Sequence, residues 1–123
     1  MISGRVFCRV VNQLIAAEAQ DTVYTEAFSA GWGVPQRVLR SAVNTAHAFQ
    51  GEFVDSKVDT WNDRTCQMRR LECGASHQSA TGNIEAFPHL AGGSVGGVRK
   101  EQTVSEIIIE LTSEVEALLQ RWH

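Results

Sequence analysis

The stretch Thr25-Glu26-Ala27-Phe28-Ser29-Ala30-Gly31-Trp32-Gly33-Val34-Pro35-Gln36-Arg37-Val38-Leu39-Arg40-Ser41-Ala42-Val43-Asn44 decides how this chain is read. Gly31 and Gly33 flank a tryptophan, and Pro35 follows closely. Glycine and proline are the strongest local punctuation in a sequence, glycine by permitting positive φ and proline by fixing φ. Proline also suits the first position of a helix, where its missing N–H would have had no partner. From Pro35 onward, Val38, Leu39, Ala42, Val43, Ala46 and Phe49 recur at helical spacing to about Gln50, and Gly51 ends the run. Residues 22–31 read as a shorter helix before the break. Two helices across a glycine turn are the expectation for this region.

Outward from it, the same period recurs. Towards the N-terminus, residues 4–20 carry Val6, Phe7, Val10, Val11, Leu14 and Ile15 on one face, with Ser3 placed to cap and Arg5 and Arg9 opposite. Towards the C-terminus, Val54, Val58, Trp61, Thr65 and Met68 are spaced 4, 3, 4, 3. Glu52 and Asp55 precede this seam and Arg69, Arg70 and Gly74 close it, a polarity that suits a helix dipole and a glycine C-cap. A helix over 52–73 is expected, with a strand through Thr65–Cys73 as the alternative. Residues 74–102 are rich in Gly, Ser and His and read as a long loop, with a short hairpin as an option around Ile84–Phe87. Residues 103–122 carry the strongest local signal. Val104, Ile108, Leu111, Val115, Leu118 and Trp122 are spaced 4, 3, 4, 3, 4, and Thr103-x-x-Glu106 is a capping box. Burying such a face takes a partner helix, from this chain or from a second copy. The fold expected is therefore an all-α or mostly α single domain over 1–123. It has four to five helices, a long flexible loop at 74–102, and a C-terminal amphipathic helix at 103–122 that serves as a homodimer interface.

The quoted stretch resembles the helix-turn-helix pattern of bacterial DNA-binding proteins. Gly33 stands in the turn, Phe28, Trp32, Val34 and Leu39 surround it, Ser29 is small where the helices would touch, and Pro35 begins the second helix. The resemblance covers about 20 of 123 residues and is one of motif. It implies that Gln36, Arg37, Arg40, Ser41 and Asn44 face a major groove, with arginine reading guanine or gripping phosphate and glutamine reading adenine. Arg5, Arg9 or Lys57 would add backbone contacts. An ordinary corner in a helical bundle produces the same glycine and apolar spacing. Two other functions stay open: a homo-oligomeric small-molecule-binding protein or enzyme with its pocket beneath 74–102, and a ligand-free interaction module.

Composition bounds these readings. The chain has 11 Lys plus Arg against 14 Asp plus Glu, a net charge of −3, so no global positive field attracts a polyanion. The acidic excess gathers at 52–63 and 106–116, away from Arg37 and Arg40. Three cysteines, Cys8, Cys66 and Cys73, form no CxxC and no even set, which fits reduced thiols in a cytoplasm. Neither a signal-peptide core nor an apolar run of membrane-spanning length is expected. Glu52, Asp55, Asp59 and Asp63 would share a helix face, read as solvated rather than as a cation site. The spacing of Cys66, Cys73, His77 and His89 matches no compact zinc knuckle, and a nucleophile pair of Cys73 with His77 or His89 rests on residue type alone. Gly92 to Lys100 lacks the order of a P-loop and reads as a flexible segment. His47 needs no special role. No metal or cofactor is expected.

Overall fold

A computed structural model describes residues 3–59, 64–72, 74 and 80–123, and the side chains of residues 3–7, 56–59 and 64–66 lie outside that description. The chain is a mixed α/β protein, which corrects the all-α expectation. Helix α1 spans Ser3–Ala16. A short 3-10 turn at Ala19–Asp21 follows, and strand β1 runs Thr22–Thr25. One turn of helix, α2, covers Ser29–Trp32 and stops at Gly33, whose φ of 75° is left-handed and so favours glycine. Strand β2, Gln36–Leu39, runs directly into α3, Arg40–Ala48. Strands β3, Phe53–Asp59, and β4, Arg64–Arg69, form a second pair. Two further 3-10 turns, Ile84–Ala86 and Gly93–Gly97, precede helix α4, Val104–Arg121.

Of the helix expected over 22–31, Thr22–Thr25 is strand and only the end from Ser29 is helical, and the helix expected from Pro35 begins only at Arg40. Strands β1 and β2 pair antiparallel, Thr22 with Leu39, Val23 with Val38, Tyr24 with Arg37 and Thr25 with Gln36. Thr22-Val23-Tyr24-Thr25 is rich in β-branched and aromatic residues, which favour a pleated surface. Its backbone groups need partners, and β2 supplies them. A third segment supports β2 from its other edge. The Leu39 N–H donates to the His89 carbonyl at 2.9 Å, the Ala91 N–H donates to the Arg37 carbonyl at 3.3 Å, and Val38 bridges Leu90. The fixed φ of Pro35 fits the extended chain leading into β2 as well as it fits a helix start. The helix-turn-helix arrangement is thus replaced by a strand–turn–strand–helix unit.

The expected helix over 52–73 is the hairpin β3–β4, with Val58 opposite Thr65, Lys57 opposite Cys66 and an irregularity between Phe53 and Asp55. Its tip, 60–63, lies outside the described residues. A spacing of four between Val54 and Val58 keeps two side chains on one face of a helix, and equally on one face of a strand. Around it, Val54, Ser56 and Val58 alternate with Asp55, Lys57 and Asp59, the period of a strand. The optional hairpin at Ile84–Phe87 is the 3-10 turn Ile84–Ala86.

The core gathers Phe28, Val38, Ala46, Val54, Ala80, Ile84, Ala86 and Phe87. It sits between α3, the two strand pairs and the Ile84–Ala86 turn. Helix α3 contributes Ala42 and Ala46, one turn apart and small enough for close approach. A smaller cluster of Ala17, Leu39 and Val95 seats the end of α1 against the Gly93–Gly97 turn. An ion pair between Arg99 and Glu18, 2.7 Å, closes the same corner, so Gly92–Lys100 is a structured strap rather than a phosphate cradle.

Candidate functional site

Two features outside the core invite function. The first is an open cleft of about 450 Å³ where the end of α1 meets the start of α3. Gln13, Ala16 and Ala17 form one wall, Asp21 an end, and Leu39, Arg40, Ser41 and Asn44 the other wall. Position follows from local structure. The direct passage from β2 into α3 puts Leu39 in the floor and sets Arg40, Ser41 and Asn44 on one side of the first helical turns. Asp21 is held by a local motif: its carboxylate accepts from the Glu18 N–H at 2.8 Å. Arg40 has no part in any ion pair among the described residues, and its guanidinium has donors to spare.

Of the five residues expected to face DNA, the structure brings Arg40, Ser41 and Asn44 together in this cleft. It separates Gln36 and Arg37, which lie on β2. Arg37 donates to Thr22 Oγ1 at 3.1 Å, bracing the β1–β2 pair, and the Gln36 amide oxygen is buried without a partner. No single exposed helix carries all five. Gln13 and Asp21 complete the cleft and escape a sequence reading, although Glu18-x-x-Asp21 is a visible local capping signature. Arg9 pairs with Glu85 at 3.3 Å on the surface, while the side chains of Arg5 and Lys57 lie outside the described residues.

The remaining constellations disperse. Glu52 pairs with Arg69 at 2.6 Å on the surface, while Asp55 is buried and accepts from the Thr81 N–H at 2.8 Å and the Thr81 hydroxyl at 3.0 Å. The shared helix face expected for these carboxylates is absent, because Phe53–Asp59 is a strand and Asp55 is buried against Thr81. Asp63, Cys73 and His77 and the side chains of Asp59 and Cys66 lie outside the described residues. His89 is buried, and its Nε2 lies 3.1 Å from the Ile84 carbonyl. Burial pushes the His89 imidazole below its ordinary pKa, partly opposed by that hydrogen bond and by Glu85. Its Nδ1 has no partner, which suits a neutral ring with its proton on Nε2. Its carbonyl accepts from the Leu39 N–H, so His89 helps hold the 89–91 segment against β2 rather than facing solvent. His47 is exposed in the last turn of α3.

The second feature is helix α4. The expected helix over 103–122 forms, with Thr103 at the N-cap and a reciprocal capping box with Glu106. The Glu106 carboxylate accepts from the Thr103 N–H at 2.7 Å, and this hydrogen bonding holds it below the usual carboxylate range. Every residue from Thr103 to His123 is exposed. That includes Ile108 at 56 %, Leu111 at 58 %, Val115 at 53 %, Leu118 at 53 % and Trp122 at 87 %. Shallow hollows of about 330 Å³ and 270 Å³ lie along this face, one bordered by Leu111, Thr112, Val115 and Glu116, the other by Glu114, Ala117, Leu118 and Arg121. Among the described residues no helix is long and apolar enough to cross a membrane.

No family model, curated protein or solved structure is significantly similar to this chain.

Proposed function

We propose that this chain is a self-assembling interaction module, a small α/β body that pairs through α4 with the α4 of a second copy. The observation that supports it is a continuous apolar stripe exposed along the entire helix. Single exposed leucines are ordinary, but a contiguous apolar face of this length marks an interaction surface.

The magnitudes agree with pairing. Full burial of Val, Leu or Ile is worth roughly 1.5–3 kcal/mol. The six side chains Ile107, Ile108, Leu111, Val115, Leu118 and Leu119 are already about half covered within the single chain. Each would gain about 1 kcal/mol on pairing, about 12 kcal/mol over two copies. A preformed, capped helix places the cost of association near the low end of its range, about 4–8 kcal/mol. The surplus of about 4–8 kcal/mol corresponds to a Kd between roughly 1 mM and 1 µM. Sedimentation equilibrium across the micromolar-to-millimolar range tests this. A reversible, concentration-dependent rise in mass is expected, and monomer mass throughout would refute it.

The cleft supports a second reading, the binding of a small polar molecule that engages Arg40, Ser41 and Asn44. Its volume lies in the ordinary range for ligand sites. A thermal-shift screen of small anions and metabolites tests it, with Arg40→Ala as the control. A response that survives Arg40→Ala would place binding elsewhere. Cys8, a free and exposed thiol, supports residence in a reducing compartment.

A further inference from the structure

The apolar residues of helix α4 fall into a heptad register. Assigning Ile108 and Val115 to position a places Leu111 and Leu118 at d, with Val104 at the preceding d and Trp122 at the following a. β-branched residues at a combined with leucine at d favour two parallel strands, whereas leucine at a or isoleucine at d shifts the preference to higher oligomers.

The flanking positions point the same way. In a parallel pair a residue at g faces e of the next heptad across the seam. Ile107 then faces the partner's Thr112, and Glu114 faces the partner's Leu119. No like charges meet, and Ile107 and Leu119 widen the apolar seam. In an antiparallel pair g faces g, and Glu114 would meet the partner's Glu114 beside the seam. Glu106, Glu110 and Glu116 take outward positions away from the seam, and Arg121 takes the last g.

We infer that α4 pairs with α4 of a second copy as a parallel, in-register, two-stranded coiled coil, with both bodies at its N-terminal end. This rests on the assembly reading above, and adds stoichiometry and direction to it. A parallel pair sets the two bodies beside one another. An antiparallel pair would place the bodies at opposite ends of a rod about 27 Å long, from 18 residues at about 1.5 Å each.

The test combines sedimentation equilibrium with small-angle X-ray scattering on the full chain at concentrations where it associates. A dimer whose distance distribution has a single maximum, from two adjoining bodies, is expected. Leu111→Glu with Leu118→Glu should yield a monomer whose urea midpoint for the body is unchanged, since both positions are exposed in the single chain. Glu114→Lys should leave the dimer Kd unchanged within about twofold. Native mass spectrometry of isotope-labelled Glu114→Lys mixed with wild type should give a statistical mixture. A trimer or tetramer, two separated maxima, or preferential mixed pairs with Glu114→Lys would overturn this inference while leaving self-assembly standing. A wild-type monomer at all concentrations, or a dimer that survives the double substitution, would overturn both.

Discussion

Replacing Leu111 by Ala isolates the seam from the body. In the single chain Leu111 is 58 % exposed, so its truncation removes little from the fold of one copy. Alanine is also the better helix former, so α4 keeps its helicity. On pairing, both copies of Leu111 become buried at d. The substitution forfeits most of the roughly 1 kcal/mol that each copy gains when the partner covers its exposed 58 %. The loss approaches about 2 kcal/mol per dimer, or roughly thirtyfold in Kd. Sedimentation equilibrium measures the shift, and urea unfolding at low concentration measures the body. A change of less than about threefold in Kd would show that Leu111 is not in the seam. A loss of more than about 1 kcal/mol in the monomer would show that α4 is packed against the body, and would refute the premise.

Four other outcomes follow from the same structure. Phe87 is completely buried, so Phe87→Ala should cost about 3–5 kcal/mol in chemical denaturation, against under about 0.5 kcal/mol for an exposed site such as Gln120→Ala. A Cβ on Gly82 would stand 1.9 Å from the Val54 carbonyl oxygen, so Gly82→Ala should displace the 80–83 segment from β3 and lower Tm by several degrees in scanning calorimetry. Burial lowers the pKa of His89 in the folded chain, so the unfolded chain binds the proton first as pH falls through about 6.5. Stability should therefore be full above that pH, decline below it, and level off beneath the folded pKa; the urea midpoint of His89→Gln should fall less over the same window. Thr103→Ala removes the cap of α4, so circular dichroism should show a frayed first turn and sedimentation a weaker dimer, with no change in the body.

The helix at 103–122 and the start of α1 were legible because their information is local, although α1 ends at Ala16 and a separate 3-10 turn follows where the helix was expected to run to 20. In α4 the cap at Thr103 and the stripe from Val104 to Trp122 lie within one continuous segment, and a helix closes its hydrogen bonds four residues away. The candidate cleft was legible only in part. Arg40, Ser41 and Asn44 stood out as polar residues early in a helix, and they do converge. Gln13 and Asp21 join them through contacts between segments far apart in the chain, which no short window contains. Gln36 and Arg37 were assigned to the same helix, and the structure puts them on a strand.

Local pattern alone fixes where the apolar stripes run and where α4 begins. The state of 22–39 and 53–69 depends instead on contacts between distant segments. Val38 and Leu39 satisfy a helical spacing, yet Val38 is opposite Val23 and bridges Leu90, and Leu39 takes its backbone hydrogen bond from His89. Val54, Val58 and Thr65 satisfy a helical seam, yet Val58 and Thr65 face each other across a hairpin. A helix finds its hydrogen-bond partners within itself, while a strand must find them elsewhere in the chain. Where an apolar pattern fits both periods, the choice therefore passes to whichever distant segment can supply the missing backbone partners.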